Sequence, residues 1–178
     1  MAVTLLQKQN KTLMETTTLQ TQSTVISIPA FLEHWQGHRN LTRRTILAFP
    51  EDKLFSYSVG GMRPFSELAL EMIQLTGGGI KGIVSGEWES YDAQNERYKA
   101  STRAELLALW DAVTEDLNRL WPQVTSERLQ KIDKAFGAWE GPVHWITFYF
   151  VDNETHHRAQ GYVYLRSLGI EPPHFWER

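Results

Sequence analysis

The clearest helical pattern in the sequence lies between Val143 and Leu168. Inward-facing candidates recur there every three or four residues, at Ile146, Phe150, Asn153, His157, Gln160 or Gly161, Tyr164 and Leu168. This spacing marks one face of an α-helix. We predict that the helix ends at Gly169, because glycine favours the position after a helix C-terminus and Pro172-Pro173 prevents the helix from resuming.

This stripe is apolar at both ends and polar in its middle, at Asn153, His157 and Gln160. Asn153 and His157 are four residues apart, so their side chains share one face of the helix. Burying an unpaired polar group costs on the order of 1–3 kcal/mol, so these groups need partners. The pattern therefore predicts a polar pocket inside a helical bundle.

Three further helices are predicted upstream. The first begins at Ser27-Ile28-Pro29, with Ser27 as N-cap, and ends at Pro50. The second begins at Pro64 and ends at about Thr76, before Gly77-Gly78-Gly79. The third opens with the capping box Thr102–Glu105 and ends at Trp121-Pro122.

The segments between these helices differ in composition. Residues 1–26 are rich in Thr and Gln and are predicted to form a polar N-terminal tail, which leaves 27–178 as one domain. Residues 80–100 are predicted to form a long loop. For residues 123–142 the sequence leaves two alternatives open, a brief strand pair or an irregular crossover.

The composition and charge of the chain disfavour several classes of function. The net charge of −3 over 178 residues disfavours sequence-independent nucleic-acid binding, which needs a basic surface. We interpret Arg39, Arg43 and Arg44 as a solvated helix face. The chain has no cysteine, so it offers no thiol nucleophile or thiolate metal ligand. Without an apolar run of ~20 residues or a signal-peptide pattern, we expect a cytoplasmic protein that does not enter a membrane.

The middle of the last helix, Asp152-Asn153-Glu154-Thr155-His156-His157-Arg158-Ala159-Gln160, resembles the His-x-x-His-His-Arg-Gly-Gln motif of the DinB/YfiT-like family. Met62–Leu68 is similar to the start of that family's second helix, and Leu168–Pro173 to its closing segment. The resemblance implies an all-α fold, an up-down four-helix bundle with long connections. It also implies a homodimer and, in many members, a divalent metal held by three histidines.

The chain departs from the family at the metal position. The resemblance maps the three histidines onto Glu71, Asn153 and His157. These residues could hold one divalent ion (Zn, Ni or Mn), although an Asn amide oxygen is a weak ligand. The alternative is a buried Glu–His ion pair braced by Asn, with no metal. We expect His38, His156 and Gln160 to lie in the pocket or around it.

Two function hypotheses follow from the resemblance. In the first, the pocket between helices two and four is the altered metal site of a metal-dependent hydrolase or thiol transferase, acting on a small molecule. In the second, the chain is a non-catalytic, stress-associated dimeric bundle that has lost the metal. The family's association with DNA damage raises nucleic-acid binding as a third idea, which the acidic balance disfavours. No catalytic residue is assigned.

Overall fold

The computed structural model describes residues 25–178, so the predicted tail at 1–26 lies almost entirely outside the described residues. The described chain is mainly helical, which confirms the predicted all-α fold class. Its helices are α1 Ile28–Ala48, α2 Glu51–Leu54, α3 Phe65–Ser85, α4 Tyr91–Arg97, α5 Arg103–Leu120, α6 Ser126–Leu129 and α7 Val143–Ser167. The two strands are β1 Ile132–Ala135 and β2 Trp139–Pro142. No helix between residues 25 and 178 is long and apolar enough to cross a membrane.

Several predicted helix ends are confirmed by their hydrogen bonds. The Ser27 hydroxyl accepts from the Ala30 N–H at 3.2 Å at the start of α1. Thr102 and Glu105 form the complete capping box of α5. After α7, Gly169 adopts a left-handed φ of 75°, the conformation that glycine supplies at the end of a helix.

The predicted end of the second helix at the three glycines was wrong. The helix α3 runs through Gly77–Gly79 to Ser85 and is capped by Gly86, whose φ is 81°. The glycines are needed for close packing. A Cβ at Gly77 would overlap the Tyr98 ring, and one at Gly79 would overlap the Phe150 ring. Glycine lets neighbouring side chains approach the helix backbone here, at the cost of weaker helix propensity.

The four long helices pack around two apolar clusters, one at each end of the bundle. One cluster joins the start of α1, the end of α3, the end of α5 and the start of α7. The other joins the end of α1, the start of α3, the start of α5 and the end of α7. Consequently α1 and α7 run in one direction, and α3 and α5 run in the other. The helix directions therefore do not strictly alternate.

The long connection between α3 and α5 follows from these directions. Because the two helices are parallel, residues 86–102 must return along the bundle before α5 can begin. The helix α4 lies within this return. The side chain of Gln94 on α4 packs against Gly78, and Trp88 packs against Gly82. The segment predicted as a long loop is thus an ordered strap packed against α3.

The alternatives left open for residues 123–142 resolve into a strand pair. Strands β1 and β2 are antiparallel, with Ala135 opposite Trp139 and Ile132 opposite Pro142. The hairpin loop contains two consecutive left-handed residues, Phe136 at φ 53° and Gly137 at φ 74°. Phe136 is nevertheless buried, so the hairpin carries an aromatic ring from its turn into the core.

Candidate functional site

The predicted site residues Glu71, Asn153 and His157 meet between α3 and α7. Glu71 Oε1 accepts two hydrogen bonds, from Asn153 Nδ2 at 3.0 Å and from His157 Nε2 at 2.9 Å. Arg63, just before α3, donates to Glu71 Oε2 at 2.6 Å. Tyr164 donates its hydroxyl to the Arg63 carbonyl at 2.9 Å, which fixes the backbone from which this guanidinium projects.

Both ring nitrogens of His157 have polar partners. Its Nε2 faces the Glu71 carboxylate, and its Nδ1 lies 2.7 Å from Gln160 Oε1. The carboxylate only accepts hydrogen bonds, so Nε2 donates to it; the donor at Nδ1 depends on the ring tautomer and on the orientation of the Gln160 amide. Burial alone would lower the pKa of His157, but the hydrogen bonds to Glu71 and Gln160 outweigh it and raise the pKa above its ordinary value.

Glu71 is held as a carboxylate by the same contacts. The hydrogen bond from His157 is the strongest influence on its pKa; burial opposes it, and Arg63 and Asn153 add to it. The result is a pKa lowered from 4.5 to about 2. The group is therefore a hydrogen-bonded network in which the Glu71 anion lies between the Arg63 guanidinium and the His157 ring.

A cavity of about 330 Å³ opens beside Glu71, between α3, α4, the hairpin and α7. Six of its lining residues are aromatic, and Glu71 is the one lining residue with a formal charge. The lining consists of Glu71, Leu75, Tyr91, Ala135, Phe136, Trp139, Trp145, Ile146, Tyr149 and Phe150. Cavities of this size with mainly apolar walls and few polar groups are typical of small-molecule sites.

Comparison with known proteins places this arrangement in a family. Residues 14–178 match the DinB family. The chain belongs to the DinB family. The match begins at residue 14, within the segment predicted to form a polar N-terminal tail. Among curated proteins there is no match.

Solved structures of DinB-like proteins share the fold. One from Bacillus subtilis aligns with a TM-score of 0.65 and 20% sequence identity, covering 83% of this chain and 96% of that chain. Another, from Bacillus cereus, aligns with a TM-score of 0.64 and 18% identity, covering 84% of this chain and 97% of that chain. At these identities the likeness concerns the fold alone.

The side chains at the position where the resemblance implies a metal ion make contacts that would compete with one. Metal binding to His157 would require loss of the Nε2 proton that Glu71 stabilises. The Arg63 guanidinium already bonds the second Glu71 oxygen and would compete with a metal ion for direct coordination there. One feature favours a cation: Asn153 Oδ1 is buried without a partner. Within residues 25–178, no group of three or more His, Cys, Asp or Glu side chains could hold a metal ion.

The three residues expected around the pocket lie in three different environments. Gln160 is half-buried and contacts His157 directly, as described above. His156 is exposed, with its ring centroid 5.1 Å from that of His157. His38 is buried, but its Nδ1 lies 2.9 Å from Arg158 Nη2, on the side of α7 that faces α1. The expectation that His38 joins the Glu71 pocket is therefore wrong.

The environment of His38 keeps its imidazole uncharged. Its second ring nitrogen, Nε2, lies 3.0 Å from Arg178 Nη1. A guanidinium group only donates hydrogen bonds, so both neighbours favour a neutral ring. Burial, followed by the charges of Arg158, His34 and Arg178, lowers the pKa of His38 from 6.5 to about 3.

Arg39 belongs to a buried network and not to a solvated arginine face. Its guanidinium lies 3.4 Å above the Trp110 ring, and its exposed fraction is 1%. Glu154 is its counter-charge at 3.6 Å, and Thr42 donates to the same carboxylate at 2.7 Å. Burial lowers the pKa of Arg39 to about 10, partly offset by Glu154. The interpretation of Arg39 as solvated is thus wrong, because the helix turns it towards α5 and α7.

Sequence reasoning missed Arg63 and the aromatic lining of the cavity. One available signal was the row of large aromatic residues outside the main stripe of α7. Trp145 and Tyr149 are four residues apart on a helix and remain about half exposed, at 55% and 48%. Large exposed rings at helical spacing indicate a second apolar face. Nothing in the sequence pattern indicated that Arg63 pairs with Glu71.

Proposed function

We propose that this DinB-family chain binds a small organic molecule in the aromatic cavity, and that the ion pair of Arg63, Glu71 and His157 takes the place of a metal centre. The observation that carries the proposal is the position of Glu71. Its carboxylate is bonded by Arg63 and His157, and it also lines the cavity. The protein in this proposal is a binding protein and not an enzyme.

Charge balance supports the replacement of the metal. A divalent ion beside Glu71 would add two positive charges. The Arg63 guanidinium supplies one positive charge to the same carboxylate, and His157 supplies a second when its ring is protonated. The network therefore balances Glu71 as a divalent ion would, but with fixed side chains and no exchangeable ligand position.

The protonation states support binding over proton-transfer catalysis. A general base works best when its pKa lies near the operating pH, whereas the pKa of Glu71 is about 2. Both nitrogens of His157 already have hydrogen-bond partners, Nε2 with Glu71 and Nδ1 with Gln160. Neither group is therefore poised to take a proton from a substrate at neutral pH.

Metal binding provides the first test. We expect Zn²⁺, Ni²⁺ or Mn²⁺ to leave the thermal melting temperature unchanged at neutral pH. A bound ion at 100 times its dissociation constant would stabilise the fold by roughly 2.7 kcal/mol, which is easily measured. A stabilising shift that disappears in His157→Ala would identify a metal centre and contradict the proposal.

Ligand binding provides the second test. A fragment library screened by thermal shift should yield molecules that stabilise the wild-type chain but not Trp145→Leu, which removes one cavity wall. Trp176→Leu is the matched control, since Trp176 is 63% exposed and does not line the cavity. If all stabilising fragments act equally on both variants, the cavity is not the binding site.

Three expectations stay predictions: the homodimer and the association with stress, which the resemblance implies, and the cytoplasmic location, which composition suggests. Light scattering at several protein concentrations would test the dimer. The first two tests do not depend on its outcome.

A further inference from the structure

We propose that the ligand of the aromatic cavity is an organic cation whose charged group is fully alkylated, such as a quaternary ammonium. The aromatic rings would hold the cation, with the Glu71 carboxylate as its counter-charge. This inference rests on the proposed function and specifies its ligand class.

The orientation of the rings fits a rounded cationic head better than a flat molecule. The Phe136 and Trp139 rings meet nearly at right angles, with centroids 6.1 Å apart and an interplanar angle of 82°. Phe136 and Phe150 are also 6.1 Å apart, at 50°. Neither pair of rings is parallel, so neither pair forms a flat slot. A planar ligand would need two nearly parallel walls, whereas a tetrahedral ammonium group can contact several faces at once.

The formal charge of the lining is negative. Arg63 and His157 bond Glu71 but do not line the cavity, so the carboxylate is the nearest charge to a bound molecule. The Glu71 charge affects the pKa of the Tyr91 hydroxyl. Burial and then Glu71 raise the pKa of Tyr91, and the opposing influence of Arg63 is smaller. At this wall the influence of the Glu71 charge therefore exceeds the opposing influence of Arg63.

The hydrogen bonds of Glu71 select among cations. Oε1 already accepts from Asn153 and His157, and Oε2 accepts from Arg63. A primary ammonium needs acceptors for its three N–H groups, whereas three of the roughly four acceptor sites of the carboxylate already have donors. A quaternary ammonium has no N–H and gains only from electrostatic attraction and contact with the rings. The fully alkylated class is thus the better match.

Two further features suit a binding cavity. The outer rings of Trp139 and Trp145 are 53% and 55% exposed, so a ligand can enter from solvent. Phe136 reaches the inner wall from a left-handed backbone position that non-glycine residues rarely adopt. Unfavourable backbone conformations persist where the surrounding structure holds a side chain in place, and here that side chain is one of the cavity walls.

Choline and its neutral isostere 3,3-dimethyl-1-butanol form a matched pair that tests the charge directly. Isothermal titration of the full chain with each compound should give choline an affinity on the order of tenfold higher, since the two differ mainly in charge. Trp145→Leu should weaken choline binding, and Trp176→Leu should leave it unchanged. Trp139→Leu provides a second cavity variant on the hairpin if Trp145→Leu does not fold.

The outcomes separate this inference from the proposed function. Equal affinity for choline and the neutral isostere would overturn the cation proposal and leave the cavity as a binding site. Binding of neutral fragments alone, sensitive to Trp145→Leu, would do the same. If neither probe nor any fragment binds in a Trp145-dependent manner, both proposals fail. Choline binding that survives both cavity variants would place the cation elsewhere and also contradict the inference.

Discussion

Replacing Glu71 by Gln should destabilise the fold in a pH-dependent manner. The substitution keeps the shape of the side chain but removes the charge that Arg63 and His157 balance. Each unit of pKa corresponds to about 1.4 kcal/mol. Lowering the pKa of Glu71 from 4.5 to about 2 therefore corresponds to about 3 kcal/mol of folding free energy at neutral pH. The side chain is only 18% exposed, so solvent screens this interaction little.

The sign of the pH dependence follows from the two pKa values. The folded pKa of Glu71 is depressed, so its contribution is present above pH 4.5 and is lost as the pH falls towards about 2. The folded pKa of His157 is raised, so its contribution is present below pH 6.5 and is lost as the pH rises through the folded value. The difference between wild type and Glu71→Gln should therefore be largest between pH 4.5 and 6.5.

Urea unfolding at pH 3, 5.5 and 8.5 measures this difference. We expect a loss of about 3 kcal/mol at pH 5.5, falling to less than half at pH 3. In thermal melts the loss would correspond to about 6–12 °C for a chain of this size. Glu67→Gln is the matched control, because Glu67 is exposed on the same helix, one turn earlier. If both variants lose the same stability, or if the loss does not vary with pH, the ion-pair argument is refuted.

Two other predictions concern features outside the ion pair. Gly79→Ala should destabilise by about 1–3 kcal/mol, because its Cβ would overlap the Phe150 ring; a variant with a higher melting temperature would show that the glycine serves no packing role. His38→Gln should reduce the loss of folding free energy that occurs as the pH falls below 6.5. Burial and the charge of Arg158 disfavour a proton on His38 in the folded state, and a neutral amide cannot take up that proton. Identical urea midpoints across pH 4.5–7 in wild type and variant would contradict this.

Helix periodicity and capping motifs were enough to predict the long helices of the fold. The Ser27 cap and the Thr102–Glu105 capping box depend on local contacts, which the sequence displays directly. The glycines at 77–79 show where local rules fail. A glycine run is equally consistent with a helix end and with a close approach of neighbouring elements. Only the tertiary position of rings such as Phe150 distinguishes the two.

Helical periodicity predicted the polar groups of α7 in the candidate site, and the family resemblance added their partner on α3. The resemblance mapped Glu71, Asn153 and His157 to one position, and the structure brings their side chains together. His38 shares the level of the pocket along the bundle, but periodicity does not tell which neighbour a helix face will meet. Arg63 was missed for a related reason, since its contact with Glu71 depends on the chain path before α3.

The helix α7 has a pair of polar residues on each of two sides, and these pairs limit its rotational orientation in the bundle. Asn153 and His157 face α3, while Glu154 and Arg158 face α1. Adjacent residues on a helix point about 100° apart. A rotation of α7 by one residue would therefore separate both sets of polar side chains from their partners at once. Contacts between aliphatic side chains, which can replace one another, would not impose this cost. The buried charges thus restrict α7 to a single rotational orientation about its own axis.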